Sequence, residues 1–238
     1  MSKIVVVAAA KGGVGKTTIA YELAAELSGV LVDLDWDSGG ASRMWGYDGS
    51  RARRVPLLDA LERGPAGRPP VPRNRRHQPA LIPGHRDLAA STIPADLTAD
   101  CLTAWAPSWA YPFAIVDTHP GANPLTDGAM SIADLVVVPV VLGERELDAL
   151  EGMLADFAAY PLLLAPSKVP STPTRRHIDR LERLANGHPV GPPISEHRWL
   201  PRRLRRAALT LQPNPGRNVR HAAEEFRQLA ASVEKHCA

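Results

Sequence analysis

Cysteine is scarce in this chain: 238 residues hold two, Cys101 and Cys237, far apart and without metal-ligand spacing. That usage fits a reducing cytoplasm and sets aside iron–sulfur carriers, which need cysteine ligands in defined motifs. Long apolar runs are missing too. No stretch reaches the roughly 18 residues of a membrane-spanning helix, and no charged-then-apolar leader stands at the start. Internal repeats are absent, which sets repeat architectures aside. Extreme charge is likewise lacking, the formal net charge being +3. What remains is a chain long enough for a single α/β domain with a sizeable core, expected to span 1–238.

The informative residues come first. Lys3-Ile4-Val5-Val6-Val7-Ala8-Ala9-Ala10 opens as a buried strand, breaks at Gly12-Gly13, and resumes as a helical pattern from Thr17 to about Leu27. Strand, glycine-rich turn, lysine, hydroxyl and helix together make a phosphate-binding loop. Glycines let successive backbone N–H groups point at phosphate oxygens, and the helix start adds its own unpaired donors. Lys16 can reach the β and γ phosphates, and the Thr17 hydroxyl is placed to ligate magnesium. The chain is therefore expected to bind a nucleoside triphosphate.

The strict Walker pattern would place a glycine at Ala10. The segment Lys11-Gly12-Gly13-Val14-Gly15-Lys16-Thr17-Thr18 instead resembles the deviant Walker A motif of the ParA/MinD ATPase family. That resemblance implies ATP as nucleotide, Mg2+ as metal, and a nucleotide-sandwich homodimer in which Lys11 reaches across to the partner's phosphates. Val30–Asp35 and Pro112–Thr118 read as further buried strands with carboxylates at their ends, where ligands sit in parallel sheets. Asp117 suits the Walker B aspartate acting on magnesium. By resemblance to the family's Asp-x-Asp segment, Asp35 orients the attacking water, and Asp33 ranks below both. Leu81–Leu88, Ala133–Pro139 and Pro192–Glu196 resemble later family segments. Four departures stand out: Ala10, Trp36-Asp37 after Asp35, His119 after Asp117-Thr118, and Pro166-Ser167 where an adenine-reading asparagine is common.

Strands are expected near 4–9, 30–35, 80–83, 113–117, 135–140, 161–165 and 190–194, alternating with helices. This predicts a doubly wound, mostly parallel α/β sheet of the P-loop type. The Pro/Arg/Gly-rich stretch 63–78 is expected to be an exposed loop. Only three residues precede the first strand, so the resemblance is to small ParA proteins without an N-terminal helix-turn-helix.

Charge is unevenly placed. Lys168–Arg220 holds 12 Lys plus Arg against 3 Asp plus Glu, and Arg51–Arg86 holds 9 against 2. The densest cluster contains Arg198, Arg202, Arg203, Arg205 and Arg206. Read as a helix from Pro201, it turns Leu204, Ala208 and Leu211 to the core and the arginines outward, a footprint for non-sequence-specific double-stranded DNA. A second basic helix near 174–185 carries its own acidic partners and reads as a solvated face. A final helix over about 218–235 has a small-residue apolar face that suits docking on the domain better than entering a bilayer.

The resemblance, taken with the charge pattern, implies a cytoplasmic, nucleoid-associated ATPase for plasmid or chromosome partition, with a ParB-like centromere-binding partner stimulating hydrolysis. A MinD-like membrane- or cargo-positioning ATPase is the alternative. An ATP-dependent biosynthetic enzyme of the same superfamily is a second.

Overall fold

Val, Ile and Leu fill the strands on both faces, which is the pattern of a parallel sheet covered by helices on each side. The structure, a computed structural model, describes residues 2–37, 40–47, 56–203 and 206–238. Its strands are β1 (Lys3–Val7), β2 (Val30–Asp33), β3 (Ala80–Ile82), β4 (Phe113–Asp117), β5 (Leu135–Val141) and β6 (Leu162–Ser167). Its helices are α1 (Lys16–Glu26), α2 (Ala41–Trp45), α3 (Pro56–Arg63), α4 (Ala95–Trp105), α5 (Pro124–Ser131), α6 (Glu144–Phe157), α7 (Arg175–Ala185) and α8 (Arg217–Cys237). The strands form one sheet in the order β3-β2-β4-β1-β5-β6, every pair parallel. Among the described residues, no helix is long and apolar enough to cross a membrane.

Side chains alternate along each strand and split the core in two. Ile4, Val6, Val30, Val32, Ala114 and Val116 face a layer built from α3 to α7. Val5, Val7, Leu31 and Ile115 face the other layer, built from α1, α2 and α8. On α8, Ala222, Ala223, Phe226, Leu229, Ala230 and Val233 are all buried against this second layer. The apolar stripe of the last helix is thus spent on its own domain.

The seventh expected strand is a correction. Residues 189–196 do run alongside β6, but only as isolated bridges, Leu164 with Val190 and Val169 with Ser195. Pro189, Pro192 and Pro193 have no N–H to give to a ladder, so pairing occurs where other residues intervene. Residues 64–79, between α3 and β3, hold no helix and a single bridge from Arg73 to Leu81. Trp109 reaches into this stretch, donating its indole N–H to the Pro70 carbonyl at 2.9 Å.

Candidate functional site

The parallel register brings three strand ends together: Val7 lies opposite Asp117, and Asp117 opposite Asp33. The chain leaves β1 into the glycine loop, where Gly13 (φ 78°) and Gly15 (φ 104°) take left-handed backbone that a side chain would oppose. Gly15 is the residue before α1, and no side chain caps that helix or places an acid in its first turn. Its N–H groups and dipole are therefore open to an anion.

Lys16 is the first residue of α1 and is only 5% exposed. Burial pulls its ammonium below the ordinary lysine value, against the attraction of Asp117, Asp35 and Asp37. Asp117 is fully buried, and among the described residues neither of its carboxylate oxygens meets a hydrogen-bond partner of good geometry, although the Thr17 hydroxyl lies close enough to act on it. Burial, then the nearby Asp33, raises its pKa well above the carboxylate range; Thr17 and Lys16 act in the opposite sense. A dry carboxylate beside a threonine and a buried lysine fits a hard divalent cation, which takes oxygen ligands.

Asp33 is already engaged. It accepts from the Ser42 N–H at 2.7 Å, the Ser42 hydroxyl at 2.6 Å and the Asp35 N–H at 3.2 Å. Burial nonetheless pushes its pKa up to about 6. Asp33 thus fastens α2 to the end of β2. Asp35 is held differently: its Oδ1 accepts from the Asp37 N–H at 3.0 Å and lies 3.0 Å from His119 Nδ1. Asp35, Asp37 and His119 bring their ligand-type atoms within 4.8 Å of one another.

The glycine loop is braced from β6. Ser167 donates its hydroxyl to the Val14 carbonyl at 2.7 Å, and the Lys168 ammonium donates to the Gly13 carbonyl. Sequence reasoning marks Pro166-Ser167 only as a departure and misses this bracing; the sole signal is a hydroxyl and a lysine at a strand end. Lys11 is exposed, and its ammonium donates to the Arg145 carbonyl at 2.8 Å, at the start of α6.

The basic segment differs from the expected helix. Leu200–Arg202 is one 3-10 turn, and Arg203 has extended backbone (φ −63°, ψ 130°). The cause is Glu22, a wholly buried carboxylate on α1. It accepts from Arg203 Nη1 at 2.7 Å and from the Leu209 N–H at 2.7 Å, which draws the segment across α1. Arg203 is thereby buried to 11% side-chain exposure rather than fanned outward. Arg198, Arg202 and Arg206 are exposed, while Leu204 and Arg205 lie outside the described residues. Ala208 is buried as expected, but Leu211 is 37% exposed. The Arg206 carbonyl accepts from the Tyr21 hydroxyl at 2.6 Å and from Gln78 at 3.0 Å. On α7, Arg180 is held by Glu144, Asp148 and Glu151, Arg176 by Glu144, and Arg175 by Asp179. Of the earlier basic stretch, Arg75 lies over the Trp45 ring at 4.7 Å, and Arg51, Arg53 and Arg54 are outside the described residues.

Residues 2–159, well over half of the chain, match the model of the AAA domain family. The chromosome partitioning protein ParA of Caulobacter vibrioides is 34% identical over 167 residues, covering 63% of this chain and 59% of that protein. The chain therefore spans less than two thirds of that relative. Among solved structures, McdA of Cyanothece in complex with ATP matches over 99% of this chain and 96% of its own, at TM-score 0.75 and 17% identity. The cell division ATPase MinD of Pyrococcus furiosus matches over 99% of both chains, at TM-score 0.75 and 19% identity. At such identities these structures speak for the fold alone. The matched region takes in the glycine loop, both aspartate-bearing strand ends and the helices that carry them, so the chain belongs to the AAA domain family.

Proposed function

We propose that the chain is a ParA-type partition ATPase that binds ATP with magnesium, dimerises around the nucleotide and holds duplex DNA through C-terminal arginines. The observation that carries this is Asp117, whose two buried oxygens lack hydrogen-bond partners of good geometry beside Lys16 and Thr17 at the uncapped start of α1. Burying a carboxylate without compensation is costly, so a site of this kind supports a cationic ligand. Thr17 and Asp117 would hold the magnesium, which when bound offsets phosphate charge. Gly12, Gly13, Val14, Gly15 and Thr18 supply loop and helix N–H groups to the phosphates, and Lys16 adds its charge. Asp35 orients the water. Lys11 exchanges its bond to Arg145 for the phosphates of a second copy.

Similarity to a chromosome partitioning protein supports a partition role, with a ParB-like centromere-binding protein as the activating partner. For DNA, the exposed Arg198, Arg202 and Arg206 are the proposed contacts, with Arg205 beside them in sequence. Arg203 is left out because Glu22 holds it.

The test is binding to random-sequence duplex with no nucleotide, with ADP and with ATP–magnesium, at several salt concentrations. Binding should require ATP. In Arg198/Arg202/Arg206→Ala the slope of log K against log salt should flatten by about 0.9 for each DNA phosphate that the variant no longer neutralises. Lys16→Ala should abolish ATP binding. Asp35→Ala should bind ATP but turn over at least about 100-fold more slowly. DNA binding that ignores nucleotide, or its absence in every state, overturns the DNA reading.

A further inference from the structure

Two of the positions that depart from the family pattern, Trp36 and His119, meet in space. Their rings stack with centroids 3.9 Å apart and planes 16° from parallel. His119 also places Nδ1 3.0 Å from Asp35 Oδ1. An ionised carboxylate only accepts, so Nδ1 carries the hydrogen and donates it. His119 is 22% exposed and Asp35 9%, which keeps the bond largely out of competing water.

The segment that carries His119 is itself fixed. Thr118 donates its hydroxyl to the Val7 carbonyl at 2.9 Å, and the Gly121 N–H donates to the Ala9 carbonyl at 3.1 Å. Both anchors lie at the end of β1 and the entry to the glycine loop. The Asp35 backbone is held by its N–H to Asp33 Oδ1 at 3.2 Å and by the Leu34 N–H to the Asp117 carbonyl at 2.9 Å, but among the described residues its carboxylate, apart from His119, accepts only from the Asp37 N–H of its own turn. The imidazole thus links a rigid strand end to a carboxylate on a separate segment.

We propose that His119 is a positioning residue for Asp35, holding its carboxylate in the orientation used for water, while Trp36 holds the plane of the imidazole. The proposal rests on the role given to Asp35 above. A group that must aim a water molecule loses rate steeply when displaced, so the link should be felt in turnover rather than in nucleotide affinity.

The two parts of the contact can be separated by substitution. His119→Phe keeps a ring to stack on Trp36 and removes the donor. His119→Asn keeps an amide N–H near the position of Nδ1 and removes the ring. Steady-state ATP hydrolysis gives kcat and KM, and calorimetry with ATP–magnesium gives affinity. His119→Phe should lower kcat about 10-fold or more with Kd within about 2-fold. His119→Asn should recover most of that loss. In an Asp35→Ala background, His119→Phe should cost nothing further, because both changes act through one group. Wild-type kcat in His119→Phe, no recovery in His119→Asn, or a full additional loss in the Asp35→Ala background each overturns the proposal. If His119→Phe binds no ATP, His119→Ala replaces it under the same criteria. Asp35→Ala with wild-type turnover would instead bring down the assignment of Asp35 itself, a separate failure.

Discussion

Glu22 and Arg203, 181 positions apart in the chain, form an ion pair at 2.7 Å around a carboxylate with no exposed surface. Arg203 also lies over the Tyr21 ring at 5.7 Å and donates to the Met44 sulfur at 3.3 Å. Removing one member strands a buried charge, so Arg203→Ala should cost about 3–5 kcal/mol in urea unfolding. The Glu22→Ala/Arg203→Ala double variant should cost clearly less than the sum of the singles. Additive losses would show that the pair is not the unit.

Asp117 predicts a trade between stability and ligand binding. Its two oxygens are buried and burial penalises its charged form, so Asp117→Asn removes a carboxylate that the folded protein holds at a cost. The nucleotide-free variant should be more stable than wild type by roughly 1–3 kcal/mol. It should also lose the magnesium-dependent part of its ATP affinity. Thermal melts with and without ATP–magnesium check both halves, and a destabilised, magnesium-responsive variant would contradict them.

Asp33 gives a pH dependence of defined sign. Its pKa is pushed up to about 6 from 3.8, so the folded state holds this proton more tightly than the unfolded chain does. That contributes stability at low pH which is lost as pH rises through about 6, by on the order of 1–3 kcal/mol. Urea midpoints at pH 4.5 and pH 7 for wild type and Asp33→Asn measure it. The wild type should lose more than the variant over this interval; equal slopes would contradict the assignment.

Cys101 and Cys237 are buried, and burial pushes both thiols up to about 11. At pH 8 only about one thiol in a thousand is then thiolate, the reactive form. Ellman's reagent should react slowly with the native protein and at once with two thiols in guanidinium. A fast native equivalent would place one of them at an accessible site.

The glycine loop is legible in the sequence because its cause is local: glycines within a few positions allow the left-handed backbone at Gly13 and Gly15 that leads into α1. The first six strands are legible for a similar reason, since continuous Val/Ile/Leu runs have few other homes. Reading fails where a distant residue decides. The arginine-rich stretch from Pro201 has helical periodicity, yet Glu22 on α1 draws Arg203 into an extended path. The stretch 190–194 has apolar residues fit for a strand, yet its prolines limit it to bridges. Trp36 and His119 are visible as departures, but nothing in a linear sequence announces that two departures 83 positions apart stack on each other.

The two outermost strands carry a consequence for self-association. Leu81 of β3 exchanges both of its backbone bonds with Arg73, at 2.7 and 2.9 Å. On the opposite side, Leu164 of β6 accepts from Gly191 and donates to Pro189, while Val169 just beyond it pairs with Ile194 and Glu196. Exposed β-edges are templates on which copies of a protein can stack into insoluble ribbons, and cover of this kind removes the template. With both outer strands covered in this way, a second copy approaching either side of the sheet meets side chains and loop backbone rather than a free row of strand N–H and C=O groups.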